Sequence, residues 1–511
     1  MSSEEPRDEA AEQPAATEMQ LVYAGPSRLL AVEGSAALSL VGNLRRAPVR
    51  LDARIKRPLP LREALSVLYA VVGSDYRYVP KDRTAYLAYL RMKKEAAGLG
   101  MWQAQQAYFS WLARNDPLAY VILDPLVSVY PDQVAFEVFS KDESTYARLA
   151  VSHDALEASD SPQCGTTNID FSQALFDGIQ QMRSYRDTRL HIGRDAVKLA
   201  TADVGEVLEK KIRVPDSWLR GFLQVQSAAT LPRDSCRLAA MDLYNLLRHL
   251  RMHGDRKGKR RGLRIELVPG EFPRLVLEPW EVVLRSEAAK YTGKSARVVR
   301  VWGRRRLLML RRLLPFVESV EIHLLGSGLP SFWVLRAGDL TLTLGLTGFT
   351  AANWSQAVSF DLLLPRKTQG SAQLETVIGK LGDVWKASAA EFARAMNFKG
   401  PALLEALQLG CQQGRLMYDL AEDVYRLRPV TDEPLDLPKL EYRNQREKIA
   451  HDLLVRRGAV KIVTENRIAG SGLELTGKVT VTEDKRDYRP QLLLADEGQV
   501  SKAECTCTQF R

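Results

Sequence analysis

Ser319-Val-Glu-Ile-His-Leu-Leu325, Phe332-Trp-Val-Leu-Arg336 and Leu340-Thr-Leu-Thr-Leu-Gly-Leu346 follow one another closely along the chain. Their apolar residues recur at every second position or run unbroken, as in pleated strands with at least one buried face. The three segments read as antiparallel strands. Upstream, Leu263 to Val268, Leu275 to Leu277 and Val298 to Trp302 read the same way. Glu281 to Lys290 looks helical, and Asp234 to His253 reads as one amphipathic helix. Asp234 or Ser235 caps that helix and Gly254 ends it. Residues 196–370 are therefore expected to form a β-rich α+β domain.

The rest of the chain divides around that domain. Residues 1–19 are acidic and rich in Ala, Glu and Pro, an expected disordered tail. Residues 20–195 mix both periods and are expected to form an N-terminal α+β domain. Its helices fall at Pro60 to Gly73, Arg83 to Arg114 and Phe171 to Arg186; its strands fall at Tyr120 to Leu123, Gln133 to Phe139 and Ala147 to Val151. Residues 371–430 show three helices and a hairpin. Leu374 to Trp385 is the first helix, Ser388-Ala-Ala-Glu391 is a capping box opening the second, and Pro401 opens the third. Gly414 stops that helix, and Arg415 to Tyr418 and Val424 to Leu427 form two short strands. This order resembles a winged helix-turn-helix. The helix that reads DNA in that family corresponds to Gly400 to Gly414, which holds one acid, Glu405, and no Lys or Arg. A module without cations there suits packing or protein binding better than base readout. Residues 431–511 form a Pro-rich linker followed by a β-rich end.

Charge is distributed unevenly. From Arg248 to Arg312 there are 19 Lys or Arg against 6 Asp or Glu, a local excess of 13 in a chain whose net charge is +10. The excess marks a basic face. One cluster is Arg256, Lys257, Lys259, Arg260 and Arg261 in a Gly-bearing loop; the other is Arg304, Arg305, Arg306, Arg311 and Arg312 on an expected helix striped with Leu307, Leu308, Leu310 and Leu314. Guanidinium forks suit phosphate oxygens. These ten residues are the candidate nucleic-acid surface; an acidic protein partner or plain solvation are the other readings of the same pattern.

Composition supports a reducing, cytoplasmic setting. Hydrophobic residues make up 45% and charged residues 26%, as in ordinary globular proteins. Five scattered cysteines make no disulfide framework, and no targeting peptide or membrane span is legible.

The β-rich end carries a second resemblance. Gly472 to Val481, Tyr488 to Leu494, Asp496 to Val500 and Glu504-Cys-Thr-Cys507 are similar to a SWIM zinc finger. That family pairs a Cys-x-Cys with a later Cys-x-His, and residues through Arg511 show only the first half. The resemblance implies zinc, with Cys505 and Cys507 as two ligands. The other two come from elsewhere, or the thiols stay metal-free. It further implies a bacterial system in which the chain is a recognition or adaptor subunit beside a MoxR-type AAA+ ATPase and a von Willebrand factor A protein, suspected of acting in biological conflict.

Two other motifs break down on spacing. Cys236-x12-His249-x3-His253 lacks the upstream cysteine of a Cys2His2 finger, and one helix would hold Cys236 about 20 Å from His249. Thr292-Gly-Lys-Ser295 has Ala288 where a P-loop needs its first glycine. No enzyme active site is recognisable in the sequence. The expected function is a non-catalytic protein that binds nucleic acid through phosphate and also holds protein partners. The alternative is a pure scaffold for the ATPase.

Overall fold

The computed structural model describes residues 21–32, 35–76, 124–194, 208–210, 216–253, 262–349, 352–355, 371–396, 400–431, 445–468, 472–481, 486–494 and 500–507. They belong to two compact units, one within 16–435 and the other within 436–511. Both are mixed α+β; among the described residues the large unit holds several sheets and the smaller unit one. The expected elements at 83–114 and 120–123, the loop 256–261 and the tail 1–19 lie outside the described residues.

An antiparallel eight-stranded sheet organises the large unit. Its order is Asp234–Ala239, Ser319–Leu324, Ser331–Ala337, Leu340–Leu346, Thr145–Ser152, Gln133–Phe139, Leu126–Val129 and Gly165–Asn168. The expected boundary at 195/196 falls inside this sheet, because Leu340–Leu346 pairs with Thr145–Ser152, setting Leu342 opposite Leu149. Local patterns could delimit the strands but not this long-range pairing.

Alternation along the strands builds two cores. Trp333 and Leu335 face one side with Val138, Ala147 and Leu149. Phe332 and Val334 face the other with Phe139 and Tyr146. The first side packs against the helix Pro58–Val72 and against a five-stranded sheet containing Ser35–Val41 and Asp187–Gly193, which pair in parallel. That helix begins with proline in its first turn, where no backbone N–H is needed, and buries Leu61, Leu65 and Leu68. The second side packs against the helix Asp216–Ala229 and the 371–430 segment.

Three expectations need correction. Asp234 to His253 is not one helix: Asp234–Ala239 is a strand on Ser319–Leu324, and the helix runs over Ala240–His253. Glu281 to Lys290 contains the strand Val282–Arg285, drawn into a hairpin with Arg274–Leu277. Phe171 to Arg186 is helical only over Gln173–Ile179, with Ser172 as its cap. In the first two cases, pairing across the sheet overrides a local pattern that also suits a helix.

The 371–430 segment forms helices at Ser371–Val384, Ala389–Met396 and Gly400–Gln412, then strands at Leu416–Asp419 and Val424–Leu427. The capping box is present: the Ser388 N–H donates to the Glu391 carboxylate at 2.7 Å, and the Glu391 N–H donates to Ser388 Oγ at 3.2 Å. The second unit holds the helix Gln445–Val455 and a sheet in the order Val460–Ile468, Gly472–Val481, Pro490–Leu494 and Val500–Cys505. Among the described residues, no helix is long and apolar enough to cross a membrane.

Candidate binding groove and arginine face

The helix Ala240–His253 leaves its strand without a loop. Asp242 in its first turn fixes the start, accepting from the Ala239 N–H at 2.8 Å and from Ser286 Oγ at 2.7 Å. Leu243, Leu246, Leu247 and Leu250 point into the core. Met241, Tyr244 and Met252 do not; they are 63%, 47% and 64% exposed. Facing them is Arg304–Arg312, which is a 3-10 helix. Gly303 precedes it at φ +69°, a left-handed conformation that glycine adopts without strain. Leu307 and Leu310 anchor the turn inward. Between the two elements lies a groove of about 770 Å³. Met241, Tyr244 and Leu247 line one wall, Leu314 and Pro315 the other, and Arg248, Arg251 and Arg311 flank it.

The arginines of the 304–312 cluster do not form one surface. Arg304 and Arg306 are 2% and 0% exposed. Arg304 Nη1 donates to the carbonyls of Gly262, at 2.7 Å, and Glu278, and its guanidinium lies 4.9 Å from the Trp280 ring centre. Arg306 donates to the Ser144 carbonyl at 2.6 Å, to the Thr347 hydroxyl and carbonyl at 2.7 Å each, and to the Trp302 carbonyl at 3.1 Å. Burial pushes its pKa down to about 10, against the opposing charges of Asp142 and Tyr76. These two are internal cross-links, so the expectation that they bind phosphate is corrected. Charge alone marked them, and charge does not distinguish them from the exposed Arg305.

Arg305, Arg311 and Arg312 are exposed. Arg312 donates to Gln180 Oε1 at 2.9 Å and lies 3.8 Å from Glu63. Much of the remaining local excess is also engaged. Arg264 pairs with Glu266, Glu278 and Glu281, Arg274 with Glu266, and Arg300 with Glu278. Among the described residues, no carboxylate pairs with Arg248, Arg251 or Arg311. Three positive charges without a carboxylate partner among the described residues thus meet at the groove, while Arg285, Lys290 and Lys294, also without one, lie outside its lining.

The histidines show no ligand set. His249 and His253 lie with ring centres 4.2 Å apart and planes tilted by 35°, with Trp280 beside both. Burial lowers the His249 pKa, helped by His253 and Arg304. Cys236 sits on its strand, its thiol pushed up to about 12 by burial. No group of three or more His, Cys, Asp or Glu is placed to hold a metal among the described residues. The helical 20 Å separation expected between Cys236 and His249 does not apply, since Cys236 precedes the helix.

Cys505 ends the strand Val500–Cys505, and the Cys507 N–H points to Cys505 Sγ at 3.4 Å. A turn that aims an amide at sulfur favours the thiolate, the form that binds metal. Here burial still raises the Cys505 pKa more than that hydrogen bond lowers it. The two thiols would fill two of four zinc positions.

A buried ionic network fastens the 416–428 hairpin to the eight-stranded sheet. Arg426 reaches Asp419 at 3.0 Å, Asp132 at 2.9 Å and Glu422 at 2.8 Å. Arg148 reaches Asp419 at 3.1 Å, Arg428 reaches Glu137 at 3.2 Å, and Lys386 reaches Asp132 at 2.6 Å. Four cations thus meet four carboxylates. Burial raises the Asp132 pKa, but the hydrogen bond and charge of Arg426, then those of Lys386, outweigh it and hold the group at about 2. The hairpin is therefore occupied as a packing element.

No protein-family model matches the chain, and no curated protein matches it. Among solved structures, the crystal structure of proliferating cellular nuclear antigen from Entamoeba histolytica is similar over 58% of this chain and 98% of that one, at 9% identity and a TM-score of 0.34. Nothing about the groove follows from a likeness at that level.

Proposed function

We propose that the chain is a non-catalytic recognition and adaptor protein that binds a polyanion, nucleic acid first, on the arginine face beside the groove. The observation that carries this is the convergence of Arg248, Arg251 and Arg311, from two segments distant in sequence, without acidic partners among the described residues. The basic loop 256–261 follows directly on the same helix in sequence. Binding of this kind is phosphate-driven and independent of sequence, so it weakens steeply with salt. Each lost contact lowers the log–log slope by roughly 0.9 on duplex DNA. Replacing Arg305, Arg311 and Arg312 with Ala should flatten the slope of a mobility-shift titration by roughly 2 to 3. Arg304 and Arg306 are left intact because they hold the fold. An unchanged affinity and slope in the triple variant would remove this face from consideration.

The alternative, a protein scaffold for a MoxR-type AAA+ ATPase and a von Willebrand factor A protein, is favoured by the apolar walls of the groove. On the winged-helix resemblance, residues 371–430 are a packing module; on the SWIM resemblance, Cys505 and Cys507 contribute two zinc ligands. Metal analysis of purified protein should show zinc that falls on Cys505→Ser or Cys507→Ser substitution. Zinc content indifferent to both changes would exclude these thiols as ligands.

A further inference from the structure

The helix Ala240–His253 has two apolar faces, and only one is used by the fold. Leu243, Leu246 and Leu250 are buried, whereas Met241, Tyr244 and Met252 project outward. Positions 241, 244, 248, 251 and 252 follow the three-and-four spacing of a single helical stripe. A surface helix needs one apolar stripe to dock on its protein. A second stripe facing solvent, with polar groups around it, marks an interaction site.

We infer that this groove docks an acidic amphipathic helix of a partner protein. Met241 and Met252 are eleven residues apart, about 16 Å along the axis, which suits a partner of about three turns. Methionine walls adapt to leucine or phenylalanine anchors of varied shape. The flanks choose the charge: Arg248, Arg251 and Arg311 border the groove, and no acidic side chain lines it among the described residues.

Other occupants fit worse. Nucleic acid would satisfy the arginines, but among the described residues the walls offer a single aromatic ring, Tyr244, for base stacking. A second copy meeting face to face would oppose arginine to arginine. The chain's own tail, residues 1–19, is acidic but carries Met1 and Met19 as its only large apolar residues, eighteen positions apart. The inference goes beyond the polyanion reading, because it depends on the walls of the groove as well as on its arginines.

The test is fluorescence anisotropy on the full chain with a synthetic helical peptide of about 16 residues, leucines on one face and glutamates elsewhere. The comparison probes are its lysine-for-glutamate counterpart, a scrambled version and a single-stranded oligonucleotide. The glutamate peptide should bind saturably, with both control peptides weaker by roughly tenfold or more. Tyr244→Ala and Met252→Ala, both exposed and checked for folding by circular dichroism, remove the apolar walls without changing charge, and should weaken it by roughly tenfold while oligonucleotide affinity holds. Equal binding of all three peptides, or glutamate-peptide binding indifferent to both substitutions, overturns the proposal. Loss of oligonucleotide binding with peptide binding intact reassigns the groove to nucleic acid. Failure of the Arg305, Arg311 and Arg312 salt test bears only on the polyanion reading.

Discussion

Replacing Asp419 with Asn is expected to destabilise the large unit by about 3–5 kcal/mol, a large share of what holds a domain folded. Asp419 is 2% exposed and lies between Arg148, at 3.1 Å, and Arg426, at 3.0 Å. Burial opposes its charge, but the charges of Arg148 and then Arg426 outweigh it and keep the carboxyl below its ordinary range. Asparagine retains the shape and removes the charge. Two buried guanidiniums then face each other with one fewer counter-ion, in a setting where water cannot screen them. The attraction between a buried pair is largely spent on desolvation, so the loss comes from the partners left behind. Replacing Arg148 and Arg426 with apolar residues in the Asp419→Asn background should therefore recover part of the deficit. Urea unfolding followed by circular dichroism measures both effects. A loss below about 1 kcal/mol, the scale of an exposed pair, would show that the cluster is solvated and sink the reading.

Arg306→Leu should cost about 2–4 kcal/mol and leave any nucleic-acid salt slope untouched. The guanidinium ties Trp302, Ser144 and Thr347 together, joining the turn before the 3-10 helix to two strand ends. Leucine can fill part of the space, yet it leaves buried carbonyls without donors. Lysine has a point charge rather than a fork and cannot reach all the acceptors, so Arg306→Lys should recover little. Arg305→Ala, one position away and exposed, should stay within about 0.5 kcal/mol of the parent protein. Thermal or urea unfolding of the three variants separates them. Near-parental stability of Arg306→Leu would mean that the buried bonds contribute nothing net.

What could be read from sequence was whatever local chemistry decides. Ser388 with Glu391, Pro401 and Gly414 delimit the 371–430 helices because caps and turns act over a few residues. The strands from Ser319 to Leu346 were legible through their alternation. Asp234 to Ala239 was not, because a capping residue followed by an apolar period also describes a helix start. Its pairing with Ser319–Leu324 decides the matter. The arginine cluster was legible as charge and illegible as structure: a count cannot separate Arg305, exposed at the surface, from Arg306, in the core. The groove had a signal that went unused. Met241, Leu243, Tyr244, Leu246, Leu247, Leu250 and Met252 cover more of the helix circumference than a single docking face requires.

The central sheet also sets a timetable for the chain. Thr145–Ser152 pairs on one side with Gln133–Phe139, close in sequence, and on the other with Leu340–Leu346, about 190 to 200 residues later. At roughly 5–20 residues per second of synthesis, the earlier strand waits roughly 10–40 s for its second neighbour. Through that interval it presents a row of unpaired amides and carbonyls on an apolar strand, the kind of edge that recruits other chains. A fragment that stops before Leu340 keeps that edge open for good.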